Sequence, residues 1–202
     1  MTEPAKSIRV FIAINLPPEL KARLAERQRE LKSAPGGQAV RWTPVEQIHL
    51  TLRFLGDVPA ESVPDIQAAV QRAAATTPAF ELQAGGLGCF PHARQPRIVW
   101  VGITGALAGL RQLQEAVERE TAPWGEREDR EFHPHLTIGR VKKEHARSAR
   151  PLAEALNRTT TGLLGAVHVA QLDLMQSRLA PSGAEYTVLA ALPLAGNPNA
   201  PC

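Results

Sequence analysis

The 202-residue sequence predicts a protein of mixed helices and strands, built as two similar lobes that face each other across a groove. Three observations lead there. Helical and strand patterns alternate along the chain, and several connections are short enough to be hairpins. A third feature carries the most weight: a His-x-Thr strand occurs once in each half. In HLTLRFLG (49–56), Leu50, Leu52 and Phe54 share one face while His49, Thr51 and Arg53 share the other. HPHLTIGR (133–140) repeats the arrangement with His135, Leu136, Thr137 and Ile138. Each half reads strand, helix, His-x-Thr strand, helix, so two half-sites can make one site.

The elements follow in order. Residues 8–15, IRVFIAIN, are β-branched and weakly alternating, which predicts a buried strand. Pro17 and Pro18 open a helix to about Leu31, with Leu20, Leu24 and Leu31 at helical spacing. SAPGGQ reads as a loop, and the first His-x-Thr strand closes at Gly56. A second helix is predicted over 61–74, with Val63, Ile66 and Val70 inward, and FELQAGGLGCF as a strand entering a glycine-rich turn. RIVWVGI (97–103) is a strand, followed by a helix over 106–120 with Leu107, Leu110, Leu113 and Val117 in a stripe. The second His-x-Thr strand spans 135–141. A helix over LAEALNR follows, with Pro151 allowed only in its first turn. AVHVAQLDLMQS and AEYTVLAALPL close the chain as two strands around the turn LAPSG. Residues 1–195 are expected to form one bilobal unit, and GNPNAPC (196–202) a frayed tail.

Composition narrows the function classes. Apolar residues make up 44% of the chain, an ordinary globular share that argues against disorder. A formal charge of +3 tolerates a polyanionic partner without requiring one, and a 4% aromatic share leaves few rings for stacking bases. Cys89 and Cys202 suit neither a structural disulfide nor a zinc site unaided, and no apolar run is long enough for a membrane span. A reducing cytoplasm, no membrane and a monomer are the expectations. GGLG at 85–88 lacks the lysine and hydroxyl residue of a phosphate-binding loop, so no nucleotide cofactor is expected.

The chemistry of a paired His-x-Thr is specific. An imidazole with a pKa of roughly 6.5 gives or takes a proton near neutrality. Two of them on opposite sides of one phosphorus supply an acid and a base for in-line displacement, each worth about 10²–10⁴ in rate. A threonine two residues on points the same way and can donate to a non-bridging phosphate oxygen. A single His-x-Thr would mean little, since most such histidines cap a strand; two copies in corresponding places are informative.

The chain resembles the two-histidine (2H) phosphoesterases, and more narrowly the bacterial RNA 2′,3′-cyclic phosphodiesterases, also called 2′-5′ RNA ligases. The likeness runs through RVFIAINLPPEL, RWTPVEQIHLTLRFLGDV, PRIVWVGI, REFHPHLTIGRV and LMQSRLAPSGAEYTVL, with the HLTL and HLTI cores as its specific part. It implies a bilobal, pseudo-symmetric α+β fold with an antiparallel sheet and helices in each lobe and the site in a central cleft. It also implies an RNA or oligonucleotide partner with a 2′,3′-cyclic phosphate end, opened without metal so that a 2′-phosphate remains, and possible reversible 2′-5′ ligation. By that resemblance His49 is the proton donor and His135 the acceptor, although near-identical motifs do not distinguish them. Thr51 and Thr137 fall at the phosphate.

The resemblance also points to Arg140, five residues past His135, as a phosphate or base contact. Strict alternation puts Arg140 on the wrong face, so a strand end or bulge is expected at Gly139. Phe54 holds the corresponding place in the first motif and is either a stacking surface or core. Arg53 shares parity with His49 and either charges the cleft or is a solvated strand end. Other readings are a metallohydrolase using His133 and His135, an RNA-end binder without turnover, and a 2H enzyme for another cyclic or 2′-5′-linked nucleotide. The basic run Lys142, Lys143, Arg147, Arg150 could follow an RNA backbone or be a solvated face.

Overall fold

The structure, a computed structural model, describes residues 6–126, 131–158, 162–180 and 183–195. It contains β1 (Ser7–Asn15), α1 (Pro18–Ser33), β2 (Val40–Trp42), β3 (His49–Pro59), α2 (Val63–Ala74), β4 (Phe80–Phe90) and β5 (Ile98–Gly105). These are followed by α3 (Leu107–Glu120), β6 (His135–Val141), α4 (Ala146–Arg158), β7 (Leu163–Val169), β8 (Gln171–Ala180) and β9 (Gly183–Pro193). Residues 181–182 of the expected turn LAPSG and the expected tail 196–202 lie outside the described residues.

The strands form one antiparallel sheet in the order β7-β4-β5-β6-β3-β1-β8-β9, with β2 added to β6. Its middle is thin. β3 and β6 share a single residue pair, Leu50 with Leu136, while their other neighbours pair at length. The sheet therefore divides into two four-stranded lobes, β3-β1-β8-β9 and β6-β5-β4-β7, related by a pseudo-twofold through that pair. Each lobe thus has the antiparallel sheet expected of it, and the two join through that pair.

Helices complete the lobes by exchange. α2 packs on β8 and β9 and α4 on β4, each staying with its own half. By contrast α1, which follows β1, packs on β7 of the other lobe, and α3, which follows β5, packs on β3. The expected apolar stripes face the sheet: Leu20, Leu24 and Leu31 of α1, Ile66 and Val70 of α2, and Leu110, Leu113 and Val117 of α3 are buried. They join Val10, Ile12, Ile14, Leu50 and Leu136 in one core that runs through both lobes. Each fully buried aliphatic side chain contributes about 1.5–3 kcal/mol by leaving water.

Three local expectations differ from the structure. FELQAGGLGCF is strand throughout, with a bulge where Gly86 takes a φ of 69°. Glycine at 88 has a packing reason, because the Trp100 ring lies on it and a Cβ there would come within 2.3 Å. AVHVAQLDLMQS is two strands in different lobes, joined only by Ala170. So short a link spans about 7 Å at most, so the sheet must curl to bring an outer strand of one lobe beside an inner strand of the other. Finally, α4 begins at Ala146, which places Pro151 in its interior rather than its first turn. No helix among the described residues is long and apolar enough to cross a membrane.

Candidate active site

The site begins at the Leu50–Leu136 pair. Both leucines point into the core, so their chain neighbours point to the opposite face. Counting outward along the antiparallel pair, His49 falls opposite Thr137 and Thr51 opposite His135. Each histidine thus shares a side of that pair with the other motif's threonine. Among the described residues, neither threonine side chain has a protein hydrogen-bond partner.

Each histidine is held in the same way. His49 Nδ1 lies 2.8 Å from the Gln47 carbonyl, and His135 Nδ1 lies 2.7 Å from the His133 carbonyl. A carbonyl only accepts, so Nδ1 carries the hydrogen in both rings. Nε2 is then a base when the ring is neutral and an acid when it is charged. Packing fixes the ring planes. Phe11 stacks on His49 at 4.8 Å, and Tyr186 meets His49 edge-on at 5.2 Å. In the other lobe, Phe90 meets His135 edge-on at 5.1 Å.

This setting disfavours the imidazolium. Burial lowers the His49 pKa to about 4, with the Arg140 charge adding to the effect against the Gln47 carbonyl. Burial also lowers the His135 pKa, again assisted by Arg140 and by His133. One guanidinium is therefore felt by both rings.

How Arg140 reaches them is a matter of register. Opposite β5, Val99 pairs with Gly139 and Trp100 with Thr137, so Ile138 is an extra residue. Opposite β1, Ile12 pairs with Arg53 and Ala13 with Thr51, so Leu52 is the extra residue. Each bulge sits three residues past its histidine and reverses the parity beyond it. Arg140 and Phe54 consequently come to the His-x-Thr face, and Gly139 and Arg53 leave it. The bulge lies one residue before the expected Gly139. Arg140 is exposed, and Phe54 is 50% exposed with its ring 5.7 Å from Phe11. Phe54 is therefore not a core phenylalanine.

Arg53 goes elsewhere. It is only 7% exposed, and its guanidinium donates to the Glu118 carbonyl at 2.6 Å and to Thr121 Oγ1 at 2.7 Å. It neither charges the cleft nor meets solvent: it closes the C-terminal end of α3, where carbonyls carry negative partial charge. In the other lobe Gln28 of α1 has the matching duty. Its Nε2 donates to the Ile138 carbonyl at 2.8 Å, which also accepts from the Thr43 N–H at 3.0 Å, and to the Thr43 carbonyl at 2.7 Å. The two exchanged helices thus brace the two bulges.

Sequence reasoning did not find Phe11, Tyr186, Phe90 or Gln28, since they come from elements remote from the motifs and carry no motif of their own. His133 contributes its carbonyl, and its exposed ring lies 6.4 Å from Phe90. No group of three or more His, Cys, Asp or Glu placed to hold a metal ion occurs among the described residues. His168 pairs with Glu81 at 2.7 Å on the far lobe, away from the seam.

Known proteins resemble this chain along most of its length. A family model described as the 2′-5′ RNA ligase superfamily matches residues 16–179, a stretch that includes both motifs and both bulges. The chain belongs to the 2′-5′ RNA ligase superfamily. Superfamily relatives include the RNA 2′,3′-cyclic phosphodiesterase of Methanothermobacter thermautotrophicus, 33% identical over 180 residues, covering 89% of this chain and 95% of the relative. The protein of that name from Thermus thermophilus is 33% identical over 194 residues, covering 94% and 91%. Among solved superfamily-like structures, TT0787 of Thermus thermophilus superposes with a TM-score of 0.76 at 32% identity, covering 94% of this chain and 99% of that one. E. coli LigT complexed with 3′-AMP gives 0.74 at 28% identity, with the same coverage.

Proposed function

We propose that this protein is a hydrolase that opens RNA 2′,3′-cyclic phosphate ends to leave a 2′-phosphate, using two histidines and no metal. The observation that carries the reading is the matched pair of imidazoles, each with Nδ1 tied to the carbonyl two residues before it. That leaves both Nε2 atoms for proton transfer at one seam. In the reaction, the base Nε2 takes a proton from water as its oxygen bonds to phosphorus. The bond from phosphorus to O3′ breaks, and the acid Nε2 gives its proton to O3′. Thr51 and Thr137 donate to the non-bridging oxygens, and Arg140 balances the charge that gathers there. Phe54 offers a face for the terminal base. A 5′-hydroxyl in place of water would give a 2′-5′ linkage through the same displacement, and its reverse would cleave one.

Family resemblance makes His49 the acid and His135 the base. Burial opposes the charged form of both rings in the free protein. The anionic cyclic phosphate opposes Arg140 and raises both rings toward their ordinary values.

A pH profile follows with a definite sign. Turnover needs one ring charged and one neutral, and that state lies between the two pKa values. Both are lowered from 6.5, so kcat/KM should peak below pH 6.5 and fall about tenfold per unit above it. This holds whichever ring is the acid. A kcat/KM that rises from pH 6.5 to 8 would contradict it. Replacing Arg140 by Gln should move the falling limb to higher pH, besides weakening substrate binding.

The reading is tested by incubating a short RNA ending in 2′,3′-cyclic phosphate with the protein in excess EDTA and resolving the 2′- and 3′-phosphate products. The expected product is the 2′-phosphate at an undiminished rate. A 3′-phosphate would overturn the leaving-group assignment, and loss of activity in chelator would overturn the metal-independent mechanism.

A further inference from the structure

Beyond Arg140, the rim of the second lobe holds a groove that the proposed chemistry does not use. Its volume is about 650 Å³, and Arg94, Arg97, Lys143, Arg147 and Arg150 line it together with Pro91. All five cations are exposed. None of them is within ion-pair distance of a carboxylate among the described residues. Glu144 feels these charges: its carboxyl is held below its usual range by its own backbone N–H and by Lys142, His145 and Arg97.

Two features tie this groove to the seam. Pro91 follows Phe90, whose ring touches His135, and the Val141 N–H donates to the Arg97 carbonyl one residue past Arg140. The helix beside the groove also starts on positive charge, apart from Glu144 just before it. α4 starts at Ala146 with no acidic residue in its first turn, and Arg147 stands there instead. Positive side chains at a helix N-terminus oppose its positive partial charge, and a bound anion relieves both. Arg150 Nε donates to the Arg94 carbonyl at 2.9 Å, which fixes the helix against the opposite wall.

We propose that this groove binds backbone phosphates of the RNA strand whose cyclic end lies between the two histidines. The inference rests on the proposed function for its orientation, and it makes the protein selective for oligonucleotides over single nucleotides. The groove begins at Pro91, beside the Phe90 ring that touches His135, and continues to Arg147 and Arg150 of α4, so a longer strand engages its cations more fully than a single nucleotide seated at the seam does. Recognition there is by charge and carries no base preference.

The test compares a nucleoside 2′,3′-cyclic phosphate with a short oligoribonucleotide bearing the same end, in the unsubstituted protein and in an Arg94→Ala/Arg147→Ala variant. The expected result at low salt is a loss of roughly five- to thirtyfold in kcat/KM for the oligonucleotide, with the mononucleotide unchanged. The slope of log affinity for the oligonucleotide against log salt should also shrink by about 1.4, two single-strand phosphate contacts. If the two substrates respond alike, whether both fall or neither does, the groove is not a phosphate site. If the unsubstituted protein turns over neither substrate, the proposed function fails instead. The groove is then judged by binding of an oligoribonucleotide with a 3′-hydroxyl, where an unchanged salt slope overturns it.

Discussion

Replacing His49 or His135 by alanine should lower turnover of a 2′,3′-cyclic phosphate by about 10²–10⁴, the usual worth of one positioned proton transfer. Neither ring is a core residue; each is half-buried in the seam with one backbone tie. The fold should survive, and binding of a 2′-nucleotide product should change little. Joint removal should cost much less than the product of the two losses, because an acid without its base is already idle. The measurement is single-turnover cleavage alongside product affinity. A variant that keeps turnover within tenfold of the parent would remove that histidine from the mechanism. Parallel loss of product binding would make it a binding residue instead.

Arg53 should behave in the opposite way. Arg53→Met leaves the Glu118 carbonyl and Thr121 Oγ1 without their charged donor in a buried setting. A lost hydrogen bond to a charged group costs about 1.5–3 kcal/mol, and the end of α3 loses the cation facing its carbonyls. A total of about 2–4 kcal/mol is expected, seen as a fall in Tm of roughly 5–15 °C. Thr121 has a further tie, since its hydroxyl donates to the Val117 carbonyl at 2.6 Å, so the helix end should loosen without unwinding. Below the transition, kcat should be that of the parent. An unchanged Tm would contradict the structural role, and a collapse in kcat of the folded variant would return Arg53 to the cleft.

These contrasting expectations show what the sequence carried and what it did not. The His-x-Thr motifs were legible because their chemistry is local: residues two apart on a strand point the same way whatever the rest of the fold does. Arg53 and Arg140 were not equally legible, because a single extra residue reverses parity. Leu52 and Ile138 are ordinary apolar residues, and nothing in their type marks a bulge. A bulge near Gly139 is expected only because Arg140 is needed at the site; Arg53, in the matching place, carries no such demand. The carbonyls of Gln47 and His133 were invisible for another reason: a backbone acceptor leaves no trace in residue identity. Helix existence followed from apolar spacing, but which lobe each helix covers did not, since an amphipathic stripe names a buried face and not its partner.

The exchange of α1 and α3 has a consequence for how the chain becomes a working protein. During synthesis α1 emerges early, yet the strand it covers, β7, is made more than a hundred residues later. Neither lobe can shield its own apolar face in isolation, and a cut between 75 and 79 also parts β1 and β3 from β8 and β9 of the same lobe, so it should yield two insoluble fragments instead of two small domains. Acid and base are thereby assembled in one cooperative event, near the end of translation, and a prematurely terminated product has no half-active form.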